Sequence, residues 1–232
     1  MQSMDTLVSV IIPIFNRKCY LPEAIESILN QSTPPYEVIA VDDGSTDGSA
    51  EVIQSFSSVR YHFQQNRGVA VARNQGVELA QGNFFAFLDS DDRWMPDKLA
   101  NQLAAFAADP DLDIVLGHVQ QFRSPDLTEA EQQAIRIPKE IIPGYHVGAM
   151  LIRREAFFQA GWFEPDLKCG EFISWYLRAI DAGLQIKMLP EVVMQRRLHQ
   201  TNYGRTENLD RSDYVRIMKA SLDRRRASHP TI

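Results

Sequence analysis

The sequence is poor in cysteine and has no long apolar run, and each absence excludes a class of protein. Only Cys19 and Cys169 occur among the 232 residues, and they form no C-x-x-C pair. Two cysteines are too few for a disulfide scaffold or a zinc ribbon, which favours a reducing compartment. No apolar run approaches the roughly 18 residues of a membrane span, and the N-terminus does not resemble a signal peptide. We therefore expect a cytoplasmic protein with no transmembrane segment.

The charge is acidic overall but unevenly distributed along the chain. The net charge is −6, yet residues 193–232 contain nine lysines and arginines against four acids. A basic tail on an acidic body suggests an anionic ligand, an anionic surface or self-association, while a simple solvated helix is the alternative. We expect no nucleic-acid partner, because the body is acidic and carries no zinc-finger or RNA-recognition signature.

The first 120 residues alternate between two hydrophobic patterns. Hydrophobic residues make up 44% of the chain and charged residues 23%, as in an ordinary globular domain. Short β-branched runs predict strands at 7–14, 36–41, 59–63, 84–88 and 114–122. Amphipathic stretches between them predict helices at 21–29, 69–80 and 97–108, the second capped by a left-handed Gly82. This alternation predicts a doubly wound α/β sheet with ligands at the carboxyl ends of its strands.

The second half of the chain is less regular. Residues 124–143 are polar with prolines near both ends, which predicts a mobile insertion or lid. Beyond it we predict a strand at 144–153, helices at 154–160 and 171–182, a short strand at 185–189 and a basic terminal helix at 210–226.

Carboxylates follow two of the predicted buried strands. Asp42 and Asp43 end the second strand, and Asp89, Asp91 and Asp92 follow the fourth. Alternate residues of an extended segment share a face, so Asp89 and Asp91 can point at one place. Hard oxygen ligands of this kind select Mg²⁺ or Mn²⁺, although aspartates are also common N-caps of helices.

Four motifs in order resemble the family-2 glycosyltransferases of the GT-A fold. They are VSVIIPIFN at 8–16, VDDGSTD at 41–47, Ala72-Arg73-Asn74 within 68–82, and FLDSDD at 87–92. The resemblance implies a GT-A type doubly wound mixed sheet flanked by helices, in a single domain with a C-terminal helical extension. It also implies a nucleotide-sugar donor, usually a UDP-sugar, a divalent Mn²⁺ or Mg²⁺, and inversion at the anomeric carbon.

The resemblance assigns donor-binding roles residue by residue. The nucleotide-sugar-binding positions are Pro13, Phe15, Asn16, Asp42, Asp43, Arg73, Asp89, Ser90 and Asp91. The first three would line the nucleobase pocket, and the next two would accept hydrogen bonds from base or ribose. Arg73 would contact the base or the phosphates, unless it forms a surface ion pair. Asp89 would hold the ribose.

The metal and the catalytic base are assigned in the same way. Asp91 and Asp89 would bind the metal, and His199 in the segment Arg-Arg-Leu-His is a further candidate ligand or else a solvent-facing side chain. Family members begin a later helix with two acids, of which the second usually deprotonates the acceptor. Here Glu171 keeps the first place and Phe172 occupies the second. Glu171 is therefore the predicted catalytic residue.

Three regions and one leading function follow from the resemblance. Residues 1–120 would form the nucleotide-sugar-binding half, 121–200 the acceptor-side half of the same domain, and 201–232 a basic helical extension suited to homo-oligomer contacts. The leading hypothesis is a metal-dependent, inverting, hexosyltransferase-like enzyme acting on a glycan, lipid-linked or peptide acceptor. The alternatives are a peptide- or protein-modifying glycosyltransferase, and a sugar-nucleotide-binding module without catalysis, which Phe172 suggests.

Overall fold

The protein forms one mixed β-sheet with helices on both faces. The computed structural model describes residues 6–137, 139–200, 202 and 212–228. The strands are β1 (Val8–Ile14), β2 (Glu37–Asp42), β3 (Val59–Phe63), β4 (Phe84–Phe87), β5 (Arg93–Trp94), β6 (Ile114–Arg123), β7 (Ile141–Pro143), β8 (Leu151–Arg153) and β9 (Ile186–Leu198). The helices are α1 (Leu21–Leu29), α2 (Ser49–Gln54), α3 (Val69–Leu79), α4 (Lys98–Ala108), α5 (Glu129–Ala134), α6 (Arg154–Ala160), α7 (Glu171–Asp181) and α8 (Ser212–Ser228), and a 3₁₀ turn spans Val147–Ala149.

The order of the strands explains where a ligand site can form. Within the described residues the order is β3-β2-β1-β4-β8-β6-β9-β5, with β7 paired to β6. The first four strands of this order are parallel, so β1, β2 and β4 end at the same edge. Strand β8 is antiparallel to both β4 and β6, which makes the sheet mixed. The predicted α/β sheet and its flanking helices are confirmed.

Two hydrophobic layers hold the helices to the sheet. Helices α1 and α4 bury residues such as Ile25 and Leu99 against one face. Helices α3, α6 and α7 cover the other face, where Phe157 and Trp175 are completely buried and stack at 5.5 Å between ring centroids. Trp175 is therefore a core residue, whereas Trp162 is 41% exposed. Stacked aromatic pairs add to the free energy that area burial supplies.

Close packing requires glycine at several positions, of which Gly76 and Gly82 lie beside β1. A Cβ on Gly76 would lie 2.3 Å from Cγ2 of Ile11, so α3 approaches β1 without a side chain between them. A Cβ on Gly82 would lie 2.5 Å from the carbonyl oxygen of Leu7. The expectation that Gly82 is a left-handed helix cap is wrong: its φ is not positive, and α3 ends in extended backbone at Ala80.

The second half differs from the sequence prediction in several elements. Residues 124–143 contain α5, which begins with a capping box between Thr128 and Glu131, and β7, which extends the sheet beside β6. The prediction of a mobile insertion or lid named neither element, although the capping box is a strong local helix signal. The predicted strand at 144–153 is confined to β8, and the one at 185–189 extends to Leu198 as β9.

The last described helix is tied to the loop before α7. The Asp213 carboxylate accepts hydrogen bonds from the backbone N–H of Lys168 at 2.8 Å and of Cys169 at 3.3 Å. At its other end, Arg224 and Arg225 donate to Asp181 of α7. The first two residues of the predicted helix at 210–226 lie outside the described residues. In the part of the chain that the structure describes, no helix is long and apolar enough to cross a membrane.

Candidate functional site

A cavity of about 570 Å³ opens at the shared edge of β1, β2 and β4. The predicted site residues that line it are Pro13, Phe15, Asp43, Arg73, Asp89, Ser90, Asp91 and Glu171. The predicted residues outside the lining are Asn16, Asp42 and His199. Sequence positions up to 158 residues apart therefore meet at one place, as expected for the carboxyl edge of an α/β sheet.

The end of β1 forms an apolar entrance. Pro13 and Phe15 face the cavity, and Phe15 remains 46% exposed. Asn16 adopts a left-handed φ of 52°, and its side-chain oxygen accepts the backbone N–H of Thr46 at 2.8 Å. Asparagine tolerates this conformation better than most residues. Asn16 thus joins the β1 and β2 loops while Phe15 presents an aromatic face to the cavity.

The two aspartates after β2 have different surroundings. Asp42 is completely buried, and it accepts hydrogen bonds from Ser45 N–H at 2.8 Å and from the Tyr61 hydroxyl at 3.0 Å. Burial, together with this carboxylate, raises the pKa of Tyr61 to about 12. Asp43 lines the cavity and accepts the N–H groups of Arg67 and Gly68, both at 2.8 Å. Asp43 therefore fixes the loop that leads into α3.

Arg73 is a buried cation of the cavity wall that pairs with two carboxylates. Its guanidinium donates to Asp89 Oδ1 and to Glu171 Oε1, each at 2.6 Å, and its side chain is 3% exposed. Burial would lower the pKa of Arg73, but the charges of Asp89 and Glu171 raise it above its ordinary value. Because Arg73 lies on α3 and Glu171 starts α7, this cation connects the two halves of the domain.

The three aspartates after β4 line the cavity close to one another. Burial would raise the pKa of Asp89, but Arg73 and His146 lower it below its ordinary value. Burial and the charges of Asp91 and Asp89 raise the pKa of Asp92 well above its ordinary value. Asp92 also accepts the Arg197 N–H at 2.8 Å. Neighbouring carboxylates with this arrangement favour either a proton or a bound cation.

Asp91 contacts two basic side chains. Its Oδ2 lies 3.2 Å from Nε of Arg17 and 3.0 Å from Nε2 of His199. His199 is buried, and its ring lies 4.9 Å from that of Tyr20. His199 is therefore behind the cavity wall and in contact with a residue that lines it. The two arginines that precede His199 have different surroundings: Arg196 lines the cavity, whereas Arg197 is buried in an ion pair with Glu23.

His146 is a cavity residue that sequence reasoning missed. Its Nε2 lies 3.8 Å from Asp89 Oδ2, and its ligand atoms, with those of Asp89 and Asp92, lie within 4.8 Å of one another. Burial lowers the pKa of His146 below its ordinary value. The residue lies in the irregular stretch before the 3₁₀ turn, where no motif or spacing marks it. Arg17 and Lys168 also line the cavity without having been predicted.

Glu171 stands where the second half reaches the cavity. Gly170 precedes it with a left-handed φ of 77° and starts α7. Phe172 is buried and stacks on Trp175 with an interplanar angle of 16°, so it belongs to the core. Ser174 donates to Glu164, and Asp166, the next candidate base, is exposed. Among these residues, Glu171 alone joins the cavity lining.

Comparison with known sequences identifies relatives. The model of the family "Glycosyl transferase family 2" matches residues 9–162, about two thirds of the chain. TuaG of Bacillus subtilis, a glycosyltransferase provisionally assigned to teichuronic acid biosynthesis, is 46% identical over 108 residues, 44% of this chain and 43% of TuaG. The uncharacterized glycosyltransferase EpsJ of the same organism is 30% identical over 81% of this chain and 60% of its own length. The chain thus matches less than half of TuaG.

Comparison with solved structures confirms the fold. TarS of Staphylococcus aureus, residues 1–349 in complex with UDP-GlcNAc, superposes with a TM-score of 0.75 at 20% sequence identity. The superposition covers 94% of this chain and 66% of the TarS chain. The mixed sheet, its flanking helices and the four ordered motifs are those expected of the GT-A fold. The chain belongs to glycosyl transferase family 2.

Proposed function

We propose that the protein transfers a sugar from a UDP-sugar to an acceptor hydroxyl, with inversion and with the help of a divalent metal ion. The observation that carries this proposal is the single cavity in which Asp43, Asp89 and Asp91 from two strand ends meet Arg73 and Glu171. The UDP-GlcNAc complex of the structurally similar TarS supports the choice of donor.

The nucleotide would lie along the ends of β1 and β2. The exposed ring of Phe15 offers a stacking surface for a base, and Asp43, at the end of the neighbouring strand, lines the same cavity with lone pairs for hydroxyl or imino groups. The backbone N–H groups at the start of α3 and the guanidinium of Arg17 would favour the negatively charged diphosphate. In this proposal the nucleotide would occupy the first half of the domain.

The acidic residues fit an oxygen-preferring cation. Asp89, Asp91 and Asp92 lie together, and burial and the charges of Asp91 and Asp89 raise the pKa of Asp92. A cation would offset both effects. Asp91 Oδ2 and His199 Nε2 lie 3.0 Å apart, and both would hold one ion if it replaced the proton on Nε2. We therefore propose Asp89, Asp91 and His199 as the residues that hold Mn²⁺ or Mg²⁺. When bound, the ion would neutralise charge on the departing diphosphate.

Glu171 is the proposed general base. The acceptor oxygen bonds to the anomeric carbon while the bond from that carbon to the diphosphate oxygen breaks, and UDP leaves with the electron pair. The hydroxyl proton passes to the carboxylate of Glu171. Arg73, bonded to Glu171 Oε1 at 2.6 Å, orients this carboxylate and links it to the donor side through Asp89. Attack from the face opposite the diphosphate inverts the anomeric configuration.

Donor turnover tests the proposal against the module without catalysis. Purified protein is incubated with UDP-, GDP- and dTDP-sugars with and without Mn²⁺, and release of the nucleotide diphosphate is measured beside thermal stabilisation. We expect UDP-sugars to stabilise the fold by about 2.7 kcal/mol at a hundredfold excess over Kd, and to release UDP only with Mn²⁺. UDP binding without turnover for any donor or acceptor would favour the binding module.

The substitution Asp91→Asn tests the metal assignment. We expect metal-dependent UDP affinity to fall at least about tenfold, because a coordinating carboxylate becomes a neutral amide, with a smaller effect on folding stability. Calorimetric titration with UDP at several Mn²⁺ concentrations measures it. Asp97→Asn, an exposed aspartate before α4, is the matched control. Undiminished Mn²⁺ dependence in the Asp91 variant would remove Asp91 from the metal site.

A further inference from the structure

Three consecutive carbonyls hold the turn that carries His146. Gly148 O accepts from Trp94 Nε1 at 2.9 Å, Ala149 O from Gln102 Nε2 at 2.8 Å, and Met150 O from Lys98 Nζ at 3.2 Å. All three donors are buried side chains of β5 and α4. A lysine and a glutamine in the core are costly unless paired. We call this set of bonds the carbonyl clamp, and it fixes the backbone on the C-terminal side of His146.

The same turn determines the hydrogen-bonding state of the imidazole. Gly148 N–H donates to Nδ1 of His146 at 3.1 Å, so His146 is the N-cap of the 3₁₀ turn. An Nδ1 that accepts a hydrogen bond has its lone pair there and carries no proton. The remaining ring nitrogen, Nε2, must therefore carry the hydrogen. A ring in this state offers a donor at Nε2, not the lone pair that a metal ion or a general base needs.

The Nε2–H group lies beside Asp89 at the cavity. His146 lines it, and Nε2 lies 3.8 Å from Asp89 Oδ2, beyond hydrogen-bond distance. The imidazole stands close to Asp89, which in turn bonds Arg73 and through it reaches Glu171. The proposed donor and acceptor subsites meet in this region. A hydroxyl oxygen located there would be within reach of the Nε2–H.

We propose that His146 donates a hydrogen bond from Nε2 to a hydroxyl of the sugar being transferred, and that the carbonyl clamp positions it. This inference rests on the proposed function. It makes His146 a determinant of donor-sugar binding instead of a metal ligand. It also gives the buried Lys98 and Gln102 a reason to be there, since they hold the turn that aims the ring.

Two variants separate the two nitrogens of the ring. In His146→Asn, the side-chain oxygen can accept the Gly148 N–H as an N-cap, while nothing reaches the position of Nε2. In His146→Gln, the amide nitrogen can reach that position and restore the donor. Affinities for UDP and for UDP-GlcNAc or UDP-glucose, whichever the wild type hydrolyses faster, are measured by calorimetry with Mn²⁺, and kcat and KM by UDP release.

We expect His146→Asn to bind UDP as the wild type does and the UDP-sugar about tenfold more weakly, the scale of one lost hydrogen bond, with partial recovery in His146→Gln. Equal losses for UDP and UDP-sugar would place His146 on the nucleotide and overturn the proposal. A changed Mn²⁺ requirement would make it a metal ligand, and unchanged binding and turnover would make it only a cap. A wild type that binds no UDP would instead overturn the proposed function.

Discussion

The two walls of the cavity are built in different ways. The wall formed by β1, β2 and β4 is fixed by parallel pairing and by backbone N–H groups that donate to Asp43. The opposite wall, with His146 and Glu171, comes from the second half of the chain, and side chains of α3 bond to it. Arg73 bonds Glu171, and Asn74 exchanges two hydrogen bonds with the backbone of Phe163. The comparison teaches that the second wall rests on hydrophobic packing, with a few polar contacts from α3 that join its cavity residues to the first wall.

The substitution Glu171→Gln should have the largest effect on the reaction. If the second wall supplies the base, transfer should fall by roughly 10²–10⁴ while donor affinity stays intact. Steady-state UDP release with acceptor and calorimetric donor binding measure the two quantities. Glu155→Gln, which changes a first-turn glutamate of α6 at the surface, is the control. Transfer near the wild-type rate would move the base elsewhere, with Asp166 the next candidate.

The substitution Arg73→Met removes the cation shared by both walls. It leaves Asp89 and Glu171 without their common partner, and breaking a buried ion pair from one side typically costs about 3 kcal/mol or more. Urea unfolding measures the loss, and Arg60→Met, at an exposed arginine of β3, is the control. Adding Glu171→Gln should recover part of the stability, because it removes one unpaired charge. Equal midpoints for the Arg73 and Arg60 variants would contradict this role.

The halves differ also in how well the sequence predicts them. Residues 84–92 run from an apolar strand directly into acids, so the position of Asp89 follows from local pattern. Pro190 and Glu191 interrupt the apolar sequence pattern of β9, and the strand pairs with β6 across register shifts, so its length depends on a distant partner. The two-residue β5 has no pattern of its own. The role of His146 depends on the single bond from Gly148, which no spacing reveals.

The pH dependence of stability tests Lys98 of the carbonyl clamp. Burial lowers the pKa of Lys98 well below its ordinary value of 10.5. The unfolded chain therefore binds this proton more readily, and stability rises with pH between the lowered pKa and 10.5, by up to about 1.4 kcal/mol per pH unit. In Lys98→Met this part of the slope should vanish, whereas Lys187→Met at an exposed lysine should keep it. Urea unfolding from pH 7 to 10 measures the difference, and parallel curves for Lys98→Met and wild type would count against it.

The smallest expected effect is a change in hydrogen exchange in residues 124–143 when ligand binds. No residue of α5 is buried. Near the start of the segment, the Tyr20 hydroxyl donates to Asp126 at 2.8 Å. We expect hydrogen exchange across α5 to slow roughly tenfold when a UDP-sugar and Mn²⁺ are bound, the scale of one or two added contacts. Central amides of α4 are the reference. Equal protection with and without ligand would mean that this segment does not close over the site.

Because Asp213 holds the loop before α7, the rate at which that loop opens can be measured by chemical modification. Cys169 is 4% exposed beneath α8 and lies two residues before Glu171, while Cys19 is at the surface. A thiol reagent should modify Cys19 at once and Cys169 only as often as the loop and α8 separate. The ratio of the two alkylation rates, measured by mass spectrometry, therefore reports how frequently the loop before Glu171 separates from α8, without any introduced label.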